Sequence, residues 1–79
     1  MRRAITRGIQ AAHAKRLKRQ LQILERAVSV DDVGIPGWSL HPLRGELTGY
    51  WSISVSGNWR VVLRFVGSDI ELVDYLDYH

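Results

Sequence analysis

Seventy-nine residues, 46% hydrophobic and 24% charged, fit one folded globular domain spanning residues 1–79. The chain has no cysteine, which rules out disulfides, thiolate metal sites and a cysteine nucleophile and fits a cytoplasmic setting. No apolar run approaches the ~18 residues needed to span a bilayer, and the start lacks the apolar stretch of a secretory signal.

The net charge of +3 is unevenly spread. Residues 1–27 carry Arg2, Arg3, Arg7, Lys15, Arg16, Lys18, Arg19 and Arg26 against Glu25 alone, and the remainder is acidic. A basic half suggests a polyanion partner, because each neutralised phosphate releases counterions. A solvated helix face explains the same charges about equally well.

GIQAAHAKRLKRQLQILERAV, Gly8 to Val28, predicts a helix. Leu17, Leu21, Leu24 and Val28 recur at helical spacing, Ala14 and Ile9 extend the stripe, and the residues are strong helix formers. Lys15, Arg16, Lys18 and Arg19 fall mainly off that stripe, whereas His13 sits on its border and reads as structural. Ser29 with Asp32 suggests a capped short turn, and Gly34-Ile35-Pro36-Gly37 stops any helix. An edge segment follows at Trp38–Leu43, limited by Pro42, which has no N–H to donate.

Three longer strands are expected at Tyr50–Val55, Trp59–Val66 and Asp69 to about Tyr75. Matching apolar faces pairs Val55 with Trp59 across Ser56-Gly57-Asn58, Ile53 with Val61 and Trp51 with Leu63. Across Gly67-Ser68, Phe65 pairs with Ile70, Leu63 with Leu72 and Arg64 with Glu71. Continued, this register sets Arg60 opposite Tyr75 and leaves Tyr50, Arg60, Arg64, Tyr75, Asp77 and His79 on the open face. It also puts Asp74 on the core side opposite Val61, a conflict that the alternation does not resolve. The expected fold is α+β: an N-terminal helix and short helical turn on one face of an antiparallel sheet of three to four strands.

Arginines, tyrosines and a terminal histidine on an open sheet make a plausible phosphate site, to which LHPLRG adds His41 and Arg44. Cutting RNA without a metal needs a base for the 2′-hydroxyl, an acid for the leaving 5′-oxygen and fixed positive charge at the phosphorane. Imidazole serves either proton role near neutral pH. The duller readings are a surface histidine, an Arg64–Glu71 cross-strand pair, and tryptophans that belong to the core. Tyr50 and Tyr75 suit either base stacking or packing. No HExxH or comparable spacing suggests a metal site, and no cofactor motif is present.

Taken in order, LHPLRG, GYWS, NWR and a terminal DYH resemble the HigB-type toxins of bacterial toxin–antitoxin pairs, within the RelE superfamily. The resemblance runs from about Gly8 to His79. It implies a RelE-like fold and a ribosome-dependent endoribonuclease that cuts mRNA in the A site. It also implies a helix-turn-helix antitoxin (HigA-like) as partner. By position it assigns His41, Arg44, Arg60, Asp77, Tyr78 and His79 to the cleavage site. It makes the basic helix a 16S rRNA contact surface. The resemblance further implies a strand ahead of the helix. MRRAITR stands there and does not alternate like a strand, so that strand is expected to be missing and residues 1–7 to be a truncated or disordered remnant. The alternative reading is a shortened relative that binds its antitoxin or rRNA without cleaving.

Overall fold

The computed structural model describes residues 2–3 and 10–77; Gly8 and Ile9 of the expected helix and the site candidates Tyr78 and His79 lie outside the described residues. Helix α1, Ala11–Leu24, packs on one face of a sheet built from β1 (Arg2–Arg3), β2 (His41–Pro42), β3 (Tyr50–Ser56), β4 (Trp59–Val66) and β5 (Asp69–Asp77). The strand order is β1-β5-β4-β3-β2. Strands β2 to β5 form the expected antiparallel sheet. The arrangement is α+β.

Four helical residues at i, i+4, i+7 and i+11 turn inward: His13, Leu17, Gln20 and Leu24. Two of them are polar, so the buried stripe lies one step round from an all-apolar reading. Each polar member has a distant partner. The His13 Nδ1 and the Tyr75 hydroxyl share a 2.5 Å hydrogen bond, and Gln20 donates to the Ser54 carbonyl at 2.8 Å. Leu17 and Leu24 join Ile53, Val55, Val61, Leu63, Ile70, Leu72 and Tyr75 in the core.

The helix ends four residues sooner than expected. Beyond Leu24 the chain tightens, Ala27 N–H bonding the Leu24 carbonyl, so that Ala27 is buried and Val28 turns outward. The Asp32 carboxylate accepts the Val28 N–H at 3.0 Å, while the Ser29 side chain makes no capping bond. Val28 is 59% exposed and Leu24 only 1%. Val28→Lys should therefore change stability by less than about 0.5 kcal/mol, and Leu24→Ala should cost about 2–5 kcal/mol. Urea unfolding of the two variants checks this, and equal losses would contradict it.

The β3–β4 register is as expected over Trp51↔Leu63 and Ile53↔Val61, but the turn is not. Ser56 pairs with Trp59 over a two-residue Gly57-Asn58 turn, and Val55 becomes the extra residue of a bulge. Gly57, at φ 55°, supplies the positive φ that tight hairpin turns require. The bulge absorbs the odd residue, so the apolar faces still meet.

A second irregularity changes the site. Strands β4 and β5 pair as expected from Val66↔Asp69 to Leu63↔Leu72, after which Val62 pairs with Asp74. Val73 is thus the extra residue, and every later side chain changes face. Tyr75 pairs with Val61, Leu76 with Arg60, and Asp77 with Trp59. The expected Arg60–Tyr75 pair and the open-face positions of Tyr75 and Asp77 are corrected accordingly. Tyr75 is fully buried, stacked on Trp59 at 4.7 Å between ring centroids. Asp74, misplaced in a regular register, is carried out of the core.

The sheet also has a fifth strand where none was expected. Arg2 and Arg3 pair in parallel with Glu71 and Leu72. Two residues are too few to display a period of two, so this strand has no sequence signature of its own. At the other rim, β2 covers only Trp51 and Ser52 of β3. Further along β3, Ser54 N–H bonds the Trp38 carbonyl at 2.6 Å, and Gln20 and Arg16 cap the Ser54 and Val55 carbonyls at 2.8 Å each.

Candidate functional site

On the face away from α1, Ser39, Leu40, His41, Ser52 and Arg60 line an open depression of about 460 Å³. Pockets that take small ligands fall in a similar range, ~300–1,000 Å³. Its position follows from the pairings: His41 of β2 lies opposite Ser52 of β3, and Arg60 of β4 lies opposite Ser54 of β3. The Arg60 guanidinium reaches diagonally across β3 toward β2, its Nη1 donating to Ser52 Oγ on β3 at 3.1 Å and to the carbonyl of Ser39, just ahead of β2, at 3.3 Å. Two residues expected in one site, His41 and Arg60, are thus brought to one depression. An exposed imidazole stands beside an anchored guanidinium.

Arg44 does not line this depression. It is exposed at the start of the short turn Gly45–Leu47, in the connection between β2 and β3. That connection is tied back by the Leu43 N–H to the Tyr50 carbonyl, 2.9 Å. Tyr50 sits on the same open face in a separate cluster. Arg64 Nε donates to Glu71 at 2.6 Å, its Nη1 to the Tyr50 hydroxyl at 3.4 Å, and the guanidinium carbon lies 5.7 Å from the Tyr50 ring centre. The Glu71 hydrogen bond and charge, with Tyr50 adding less, raise the Arg64 pKa further, so its charge is permanent.

The remaining candidates divide between the two sides of the sheet. Tyr75, a candidate for either stacking an RNA base or packing, is core and presents no surface to a ligand. Asp77 is exposed but shares the register of Trp59, on the helix side. Lys15, Lys18 and Arg19 are exposed on α1, across the sheet from the depression. Arg16 has one guanidinium nitrogen committed to the Val55 carbonyl.

Three residues of the open face escape a reading of the sequence. Ser52 is 1% exposed and serves as an acceptor for Arg60, whereas alternation alone marks it only as a polar position. Ser39 has φ 49°, the sole non-glycine residue with positive φ among the described residues, and nothing in WSLHP foretells it. Asp74 reaches the open face only through the bulge, where its Oδ1 accepts the Tyr75 N–H at 2.8 Å. Chemically, the depression offers a proton carrier and fixed positive charge side by side. Those are two of the three groups that metal-free phosphodiester cleavage demands.

Comparison with known proteins points the same way. A family model described as the RelE-like toxin of type II toxin–antitoxin systems, HigB, matches residues 3–79. The chain is also 35% identical over 77 residues to the endoribonuclease HigB of Proteus vulgaris, a match that covers 98% of this chain and 84% of that protein.

Proposed function

Because the chain belongs to the HigB-like toxins of type II toxin–antitoxin systems, we propose that it is an endoribonuclease toxin that cuts mRNA in the ribosomal A site. The observation that carries this reading is the Arg60 guanidinium, anchored at the depression that His41 lines. In the proposed reaction a base removes the 2′-hydroxyl proton and the resulting oxygen attacks the neighbouring phosphorus. Arg60 meets the charge that grows on the phosphorane oxygens. An acid then protonates the departing 5′-oxygen, giving a 2′,3′-cyclic phosphate and a 5′-hydroxyl end. His41 is one proton carrier, and Arg44 grips a phosphate beside the scissile one. The triplet Asp77, Tyr78 and His79 enters this proposal through the family resemblance. It begins one residue beyond Leu76, the cross-strand neighbour of Arg60.

As a type II toxin the protein has an antitoxin partner. In the proposal this is a helix-turn-helix protein, the setting is the cytoplasm, and Lys15, Lys18 and Arg19 contact 16S rRNA. Among the described residues no helix is long and apolar enough to cross a membrane.

Mapping the 5′ ends of cellular messages after brief induction tests the reading. Wild type should create new 5′-hydroxyl ends within translated codons, and His41→Ala should reduce them by ~10²-fold or more, the usual worth of a positioned acid or base. Growth arrest by wild type without new ends would overturn the proposal.

A further inference from the structure

Resting on the endonuclease reading, we infer that Ser52 and Ser39 are positioning residues that aim the Arg60 guanidinium at the space beside His41. The backbone alone would not send it there. Arg60 stands opposite Ser54, one pair further along β3 than the Ser52–His41 pair. A partly exposed arginine on an open sheet face is free to extend into water or toward Ser54 directly opposite, since its long stem has many rotamers. Two acceptors draw it sideways instead: the Ser52 hydroxyl from β3 and the Ser39 carbonyl from the segment entering β2. Both residues line the depression with His41.

The two acceptors are themselves fixed in different ways. Ser52 is 1% exposed in the middle of a strand, so its hydroxyl has little freedom to leave. It is too buried to meet a substrate directly, which leaves orientation of Arg60 as its contribution. Ser39 is held at φ 49°, in the left-handed region where a side chain is disfavoured. Such outliers persist only where the surroundings over-determine them, and they gather at functional sites. The strained residue is the one whose carbonyl accepts from Arg60.

The plainer role, in which Arg60 merely satisfies a buried hydroxyl, predicts lost stability without a specific loss of rate. Purified full-length variants and ribosomes programmed with a defined message separate the two. Ser52→Ala should lower the maximal cleavage rate by ~10- to 100-fold, the scale of a group displaced by about 1 Å. The half-saturating ribosome concentration should stay within roughly twofold, because binding and chemistry are separable in this way. Ser52→Thr, which keeps the hydroxyl on a residue suited to strands, should restore the rate. Ser39→Val, barred from positive φ, should reproduce the rate defect, and Ser39→Asn, which tolerates it, should not. The Ser39 pair decides the matter should Ser52→Ala fold poorly. Wild-type rates in Ser52→Ala and Ser39→Val, or a loss in Ser52→Thr equal to that in Ser52→Ala, would overturn the inference while leaving the endonuclease reading intact. A wild-type protein that cuts no message would bring down both.

Discussion

Arg60→Ala should leave a folded protein that no longer arrests growth, with message cleavage reduced by ~10²–10³-fold. That is the usual cost of removing one preorganised donor from a developing oxyanion, about 2.7–4 kcal/mol of barrier. The argument for so large an effect is positional. Among the described residues, one guanidinium and one imidazole line the depression. Among the described side chains, the open-face Arg64 is committed to Glu71 and Tyr50 and cannot take over. Arg60→Lys should recover part of the rate only, because an ammonium keeps the charge but not the planar fork that spans phosphate oxygens. The substitution also strips the buried Ser52 hydroxyl of its donor, at about 1–3 kcal/mol in stability. Melting temperature must therefore be measured beside cleavage. A variant that stays folded and cuts at the wild-type rate would remove Arg60 from the chemistry.

The second large effect is on stability. Tyr75→Ala should cost about 3–5 kcal/mol, as for other large aromatic truncations in cores. Tyr75→Phe should cost about 1–3 kcal/mol, because it leaves the His13 Nδ1 without its partner. Tyr75 is fully buried in a three-ring cluster with the stacked Trp59 and the His13 imidazole, which is itself 7% exposed. A domain of this size has a total stability of roughly 5–15 kcal/mol, so the alanine variant should be close to unfolding at growth temperature. Urea unfolding of the two variants is the measurement. A Tyr75→Phe protein as stable as wild type would show that the hydrogen bond contributes nothing net, and that stacking alone holds the end of β5.

What the sequence made readable follows from where alternation is unbroken. Trp51, Ile53, Val61, Leu63, Phe65, Ile70 and Leu72 keep strict period two, and their pairing needs no other information. Helix α1 was readable from its leucines and alanines, but not the inward turn of His13 and Gln20. Their partners lie 62 and 34 residues away in the chain. The bulge at Val73 left one trace, an aspartate where a core residue was due. Treated as a signal of an inserted residue, Asp74 would have placed Tyr75 inside and Asp77 beside Trp59. Of the site, His41 and Arg60 were legible as residue types in strands. Ser39 was not, because a left-handed serine reflects the packing around it rather than its neighbours in sequence. Val28 lies outside the helix for a related reason: periodicity does not say where a helix stops when no glycine or proline marks the end.

The outer rim of β3 has a bearing on how this protein associates with others. Past its two-residue pairing with β2, the rim is taken up by the Trp38 carbonyl and the side chains of Gln20 and Arg16. Exposed rims of this kind are where sheets zip to one another and seed fibrils. Here an incoming chain would have to evict three native contacts before forming its first bond. Concentrated stocks should consequently resist polymerisation through this side, and a partner that works by adding a strand must dock elsewhere.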